Sequence, residues 1–506
     1  MAFSTMWELL QQGADASAAL GAPEAPALDF KALRALAADT VATLNKMGIG
    51  RNDRVAIVLP NGPEMAAAFL CVAAGATTAP LNPAYRQEEF EFYIADLKSK
   101  AVIVQQGDET PARAAALKLG VPLIELVPAR DAGAGAYRLE AALAGTPAHG
   151  GFAQADDVAL ILHTSGTTSR PKIVPLSHAN VCASARHIGA TLELEAGDRC
   201  LNIMPLFHIH GLIAAVLASL AAGGQTVCTP GFNALKFFGW LDDVAPSWYT
   251  AVPTMHQAIL ARAERNKESL AKSKLRLIRS SSASLPPQVM LALEETFKCP
   301  VIESYGMTEA AHQMASNPLP PRERKAGSVG IAAGPEVGIM DEAGNMLGAD
   351  ALGEVVIRGP NVTKGYEANP DANLKGFANG WFRTGDQGTL DAGGYLRITG
   401  RLKEIINRGG EKVSPLEVDE IVMDHPAVQQ VVTFAIPHDK LGEEVGAAIV
   451  LREGMAASER DIRDFAATRL ADFKVPRKIV FLAEIPKGAT GKLQRIGLAE
   501  KLGLGK

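Results

Sequence analysis

Apolar positions along the chain fall into two textures. Short β-branched runs, "RVAIVL" (54–59), "KAVIVQ" (100–105), "VALILHT" (158–164) and "QTVCTP" (225–230), alternate with Ala- and Leu-rich stretches of helical length such as "EMAAAFLCVAAG" (64–75) and "PPQVMLALEETFK" (286–298). That alternation predicts an α/β architecture with mainly parallel sheets. From about residue 350 the texture changes to "GEVVIRG", "GYLRITG" and tight glycine turns, so a small β-rich subdomain is expected over about 325–400. After "TGRLKEIINRGGEKVSP" a fresh α/β pattern begins. It predicts a helix from Pro415 to about Met423, strands "VQQVVTFAIP" and "GAAIVL", a helix from about Ser458 and a last strand "KIVFL". The expected division is a large N-terminal domain, 1–400, and a smaller α+β C-terminal domain, 401–506, joined near Arg401 to Lys403.

From Met65 to Tyr85 there is no charged residue, a length that invites a transmembrane reading. Gly75, Pro80 and Pro83 interrupt it, so the expectation is a buried helix ending near Gly75 followed by a short strand, "TTAPLN", and no membrane insertion. The 506 residues are 47% hydrophobic and 21% charged with a net charge of −5, which describes a globular chain without the basic footprint of a nucleic-acid binder. Cys71, Cys182, Cys200, Cys228 and Cys299 form no CxxC and no metal-ligand spacing with histidine, which fits a reducing compartment. The opening "MAFSTMWELLQQGAD" lacks a basic start and apolar core, and the closing "GLGK" is not a peroxisomal address, so a cytoplasmic location is expected.

One loop stands out chemically. In "ILHTSGTTSRPKIVPLSHAN" (161–180), the hydroxyls of Thr164, Ser165, Thr167, Thr168 and Ser169 crowd around Gly166, with Lys172 behind. Such a cluster is either a solvated turn or a phosphate cradle, in which hydroxyls and backbone N–H groups donate to anionic oxygens and Lys172 supplies charge. It follows an apolar strand and leads into "KIVPL", with a helix starting only around Ser177, so it is not a Walker-type P-loop.

Four further segments accompany it: "SYGMTEA" (304–310), "FRTGDQG" (382–388), "GRLKEIINRGGEK" (400–412) and "PKGATGKLQR" (486–495). Together with "TSGTTSRPK" they resemble, in order and across nearly the whole chain, the adenylate-forming superfamily of acyl-CoA synthetases, luciferases and amino-acid adenylation domains. The resemblance favours the phosphate reading. It implies a two-step reaction: a carboxylate attacks the α-phosphate of ATP to give acyl-adenylate and pyrophosphate, and a thiol then displaces AMP. Two anions must meet, so such a site manages charge. The resemblance also assigns roles. Thr164, Ser165, Gly166, Thr167, Thr168 and Lys172 hold phosphates. Glu309, with Thr308 nearby, holds Mg²⁺, a hard cation that prefers oxygen ligands. Asp386, assisted by Arg401, accepts from the ribose hydroxyls. Ser282, Ala283 and Ser284 line the adenine, with Tyr305 stacked on it and Gly306 alongside. Lys492, in the glycine-flanked turn "GATGK", bridges carboxylate and α-phosphate. Lys403 marks the pivot of a mobile C-terminal domain, Gly409 and Gly410 approach the thiol channel of CoA, and Arg408, Lys474 and Arg477 meet the CoA phosphates.

The acid remains. In this superfamily the acyl pocket lies beside the segment after the "MP" strand and beside "YGMTE". Here those segments read "MPLFHIHGL" and "YGMTEAAHQM", bringing His208, His210 and His312 near the substrate with Ser281. His208 stands where relatives carry a histidine or aromatic gate. A long-chain or aromatic acid would want an apolar slot. Histidines and hydroxyls suit a second carboxylate, which needs polar partners when buried. A short dicarboxylate is therefore expected, and because "HTSGTTSRPK", "MPLFHIHGL", "EAAHQM" and "INRGGEKVSP" resemble the members of this superfamily that act on oxalate, the resemblance implies oxalate, with malonate its nearest rival. An amino-acid substrate fits less well, because "MPLFHIHGL" offers no acidic residue for an ammonium group. A non-catalytic nucleotide-binding regulator is disfavoured by the joint presence of Glu309, Asp386, Arg401 and Lys492.

Overall fold

A computed structural model describes residues 3–164, 171–488 and 491–505. Among the described residues the strands form four sheets, one of seven strands, one of nine and two of five. The β-branched runs of the first half make the seven-stranded sheet. Its centre, Ala101–Gln105, Arg54–Val58, Thr77–Pro80 and Val158–Thr164, is parallel. The nine-stranded sheet holds a parallel run from Gln225–Cys228 through Arg199–Asn202, Trp248–Ala251 and Leu277–Ser281 to Val301–Met307. Both sheets turn antiparallel at their edges, which the expectation of mainly parallel sheets did not resolve. Lys172–Ser177 folds back on Val158–Thr164, and His312–Ser316 folds back on Val301–Met307. Each of these two hairpins carries part of the candidate site.

The uncharged stretch after Met65 has a physical explanation. Helix Pro63–Ala73 is buried from Glu64 to Ala73 and packs within the largest apolar cluster, followed by the buried strand Thr77–Pro80. A helix that is apolar all round belongs in such a core. No helix among the described residues is long and apolar enough to cross a membrane.

The β-rich stretch forms a five-stranded sheet of Glu336–Met340, Gly353–Arg358, Phe377–Ala378, Trp381–Leu390 and Leu396–Arg401. The last sheet comprises Ile406–Arg408, Glu411–Val413, Val428–His438, Gly442–Leu451 and Lys478–Phe481, covered by helices Pro415–Met423 and Glu459–Ala467. Both helices begin as the sequence predicts, with Ser414 and Ser458 accepting from the backbone N–H of Glu417 and Asp461. The carboxyl ends of parallel strands are the usual place for a ligand in an open α/β sheet.

Candidate active site

The candidate site draws on loops at strand ends. Thr164 closes one strand and Lys172 opens its return partner, paired with it in register. Ser165, Gly166, Thr167 and Thr168 lie outside the described residues. Lys172 stands over the ring of Tyr366, 4.3 Å from its centroid, and burial together with the charge of Lys403 depresses its pKa against the opposing pull of Glu309.

Glu309 sits in the turn between Val301–Met307 and His312–Ser316 and is buried. Tyr366 Oη donates to its Oε1 at 2.8 Å. Burial raises its pKa, while that hydrogen bond and the charges of Lys172 and Arg401 pull it back. Its main chain is clamped from the neighbouring loop by Thr363 N–H donating to Glu309 O at 2.7 Å. Thr308 lies half-buried beside it. Tyr366, in "KGYEAN", was not singled out from sequence; a tyrosine after glycine gives no sign of a distant carboxylate.

Asp386 and Arg401 face each other in register across two antiparallel strands, and Arg401 Nε approaches Asp386 Oδ1 at 3.4 Å. Tyr305 Oη donates to Asp386 Oδ2. Ser282, Ala283 and Ser284 follow the strand Leu277–Ser281, with Ala283 and Ser284 exposed. Ser282 adopts φ +74°, a left-handed conformation that swings its hydroxyl back to His210 Nδ1 at 3.0 Å.

Lys492 arrives from the C-terminal part of the chain. The turn that carries it is pinned to the large part by Thr254 Oγ1 donating to Gly491 O at 2.7 Å. Burial and the charge of Arg401 press the lysine pKa down to about 8, opposed by Asp386. Burial and Lys492 together hold the His208 imidazole neutral, down to about 3. Lys492, Asp386, Arg401 and His208 therefore act on one another electrostatically, although Lys492 and His208 lie far apart in sequence.

The three residues expected to hold the second carboxylate are not equivalent. His210 begins a π-helical stretch, His210–Leu217, and both its ring nitrogens are engaged, by Ser282 Oγ and by Thr250 Oγ1 at 2.6 Å. The Ser281 hydroxyl donates to Ser304 O at 2.8 Å. Both groups are therefore already hydrogen-bonded within the protein. His312 is different, because its Nε2 is buried with no partner among the described residues. Its approach depends on Gly306, where a Cβ would stand 1.9 Å from His312 O.

The remaining basic candidates lie in the C-terminal part. Arg408 pairs with Glu444 at 2.6 Å, Arg477 with Asp472 at 2.5 Å and Lys474 with Glu417 at 2.7 Å. Arg477 also bears on Glu444, so Arg408 and Arg477 share one network that Lys474 does not join. Gly409 and Gly410 form an exposed hairpin turn with φ +60° and +98°. Lys403 is exposed after Arg401. The five cysteines are buried and unbonded.

Asp386 with Arg401, Glu309 with Tyr366, and the buried Lys492 are the described polar groups of the candidate site. The chain belongs to the AMP-binding enzyme family: the family model matches residues 10–367, and that of the AMP-binding enzyme C-terminal domain matches 417–492. It is 47% identical over 457 residues to an oxalate–CoA ligase of Arabidopsis thaliana, covering 88% of each chain. It is 42% identical to an oxalate–CoA ligase of Saccharomyces cerevisiae, over 89% of this chain and 87% of that one. Among solved structures it resembles ATP-bound MatB from Rhodopseudomonas palustris at a TM-score of 0.87, with 29% identity and 98% of both chains covered; the apo form of the same protein gives 0.78.

Proposed function

We propose that this chain ligates oxalate to CoA at the expense of ATP, through an oxalyl-adenylate, releasing AMP and pyrophosphate. The observation that carries the reading is that Lys492 acts electrostatically with Asp386, Arg401, His208 and His312. It joins an adenylation lysine to an acid pocket that is polar and short of negative charge. The two similar oxalate–CoA ligases support the choice of acid.

In this reading the oxalate carboxylate to be activated and the α-phosphate both approach Lys492, whose ammonium offsets their repulsion. Asp386, held by Tyr305 and Arg401, accepts from the ribose. Lys172 and the hydroxyl loop, Thr164 to Thr168, receive the leaving phosphates. Glu309 fits a Mg²⁺ ligand: it is a buried carboxylate with one oxygen oriented by Tyr366, and Mg²⁺ is commonly held by one or two carboxylates plus substrate phosphates. Bound there, the cation would neutralise phosphate charge. His312 Nε2 is offered to the carboxylate that is not activated. The C-terminal part, residues 401–506, then pivots near Lys403 so that the Gly409–Gly410 hairpin faces the thiol channel and Arg408, Lys474 and Arg477 turn toward CoA phosphates. Five unbonded cysteines suit the cytoplasm.

The test is a panel of acids (oxalate, malonate, acetate, butyrate) assayed with ATP, Mg²⁺ and CoA, with nucleotides and thioesters separated chromatographically. Oxalyl-CoA, AMP and pyrophosphate in equal amounts are expected. ADP as the main product, or a preference for butyrate, would overturn the proposal.

A further inference from the structure

The fully buried strand Leu277–Ser281 carries one charged residue. In "LRLIRSS" the second arginine, Arg279, is 0% exposed and lies between the parallel strands Trp248–Ala251 and Val301–Met307, in register with Thr250 and Ile302. It forms no ion pair among the described residues. Nη2 reaches His312 Nδ1 at 3.5 Å and Gln313 Oε1 at 3.3 Å, while Nε and Nη1 are buried without partners. Leaving a buried charge uncompensated is strongly destabilising, so its retention calls for an anion that the free protein does not contain.

The hydrogen bond to His312 has a direction. A guanidinium donates and cannot accept, so Nδ1 of His312 must be the acceptor, and in a neutral ring the proton then sits on Nε2. That is the nitrogen left without a partner. The groups around His312 are Arg279, His210 with ring centroids 5.0 Å apart, His208 and Lys492, with no carboxylate among them. Burial, then Arg279, His208 and Lys492, all push His312 toward its neutral form.

We propose that Arg279 is a specificity-determining positioning residue of the acid site: it fixes His312 as the Nε2–H donor and supplies, from behind the ring, the positive charge answered by the substrate's second carboxylate. The proposal rests on the dicarboxylate reading above. It replaces a titrating imidazolium with a permanent cation, so selection of a diacid does not depend on protonating a histidine.

Two measurements test it. In wild-type protein labelled with ¹⁵N-histidine, with His312 assigned by its loss in His312→Gln, the ring nitrogen shifts should report a neutral Nε2–H tautomer at both pH 6 and pH 8. An Nδ1–H tautomer, or an imidazolium at pH 6, would overturn the proposal. The second is kinetic. Arg279→Met should lower the ratio of kcat/KM for oxalate to that for butyrate by about tenfold or more, chiefly through the oxalate KM, and Arg279→Lys should recover much of the loss. Equal losses on both acids, with no recovery in Arg279→Lys, would mean that Arg279 only supports the fold. If Arg279→Met does not fold, the wild-type tautomer still decides. Failure of wild-type protein to use oxalate would instead overturn the substrate reading, leaving the tautomer result to judge Arg279.

Discussion

At the scale of single residues, burial moves the pKa values of the ionisable groups of the candidate site. Lys492 is the clearest case. Its pKa lies near 8 because the ammonium is desolvated beside Arg401, so the charged form is lost as pH rises through about 8. kcat/KM for adenylation reports the free enzyme and should therefore fall above that pH, whereas Lys492→Arg should show lower activity without the falling limb. A pH series of pyrophosphate release on both proteins checks this, and a wild-type profile flat to pH 9.5 would contradict it. Tyr366 makes a second case. Tyr366→Phe removes a hydrogen bond to a buried carboxylate, a loss of about 1.5–3 kcal/mol, which would lower kcat/KM by roughly tenfold to a hundredfold. Raising Mg²⁺ should offset part of that loss if Glu309 is the ligand, and no Mg²⁺ dependence of the defect would argue against that role.

Secondary-structure elements decide where these side chains can go. The hairpin Val301–Met307 to His312–Ser316 places Glu309 at its turn and His312 at its first returning position, at φ +99°, a conformation that glycine tolerates and histidine rarely adopts. The surrounding structure must hold that strain, and Asn361 Nδ2 does so by donating to Ala310 O at 2.8 Å and Gln313 O at 2.9 Å. Gly306→Ala would drive a Cβ into His312 O. It should lower Tm by several degrees and reduce adenylation about a hundredfold or more. Gly197→Ala, at a glycine with open space around it, is the control and should change neither. A Gly306→Ala protein with wild-type Tm and activity would show that the hairpin accommodates the methyl group.

Across the whole molecule, polar contacts among the described residues tie the C-terminal part to the large part. Thr254 meets Gly491, Gln430 Nε2 donates to Gln257 Oε1 at 3.0 Å, and Gln288 meets Asp424. Arg397 also pairs with Glu420 at 2.9 Å, and polar contacts of this kind suit the proposed movement between half-reactions. Lys492→Ala should then reduce adenylate formation by a factor of about 10² to 10⁴, yet still convert supplied oxalyl-adenylate and CoA to thioester. Gly409→Leu, which puts a branched side chain on an exposed turn at φ +60°, should do the reverse. Equal loss of both steps in both variants would argue against a moving domain.

Much of this protein is local and so could be read from the chain alone. The helices Pro415–Met423 and Pro287–Phe297 and the strands from Arg54–Val58 to Gln225–Cys228 follow from periodicity and caps, because those signals act within a few residues. Glu309, Asp386, Arg401 and Lys492 could be proposed because each sits in a short motif shared with the resembling superfamily. What only the tertiary structure decided are relations between distant segments: the antiparallel sheet edges, the grip of Tyr366 on Glu309, and the hydrogen bonds that engage His210 and Ser281. Arg279 belongs with them. Its charge is plain in the sequence, but whether it pairs with a carboxylate or stands bare behind a histidine depends on which strands lie beside it, and that is set by packing across the sheet.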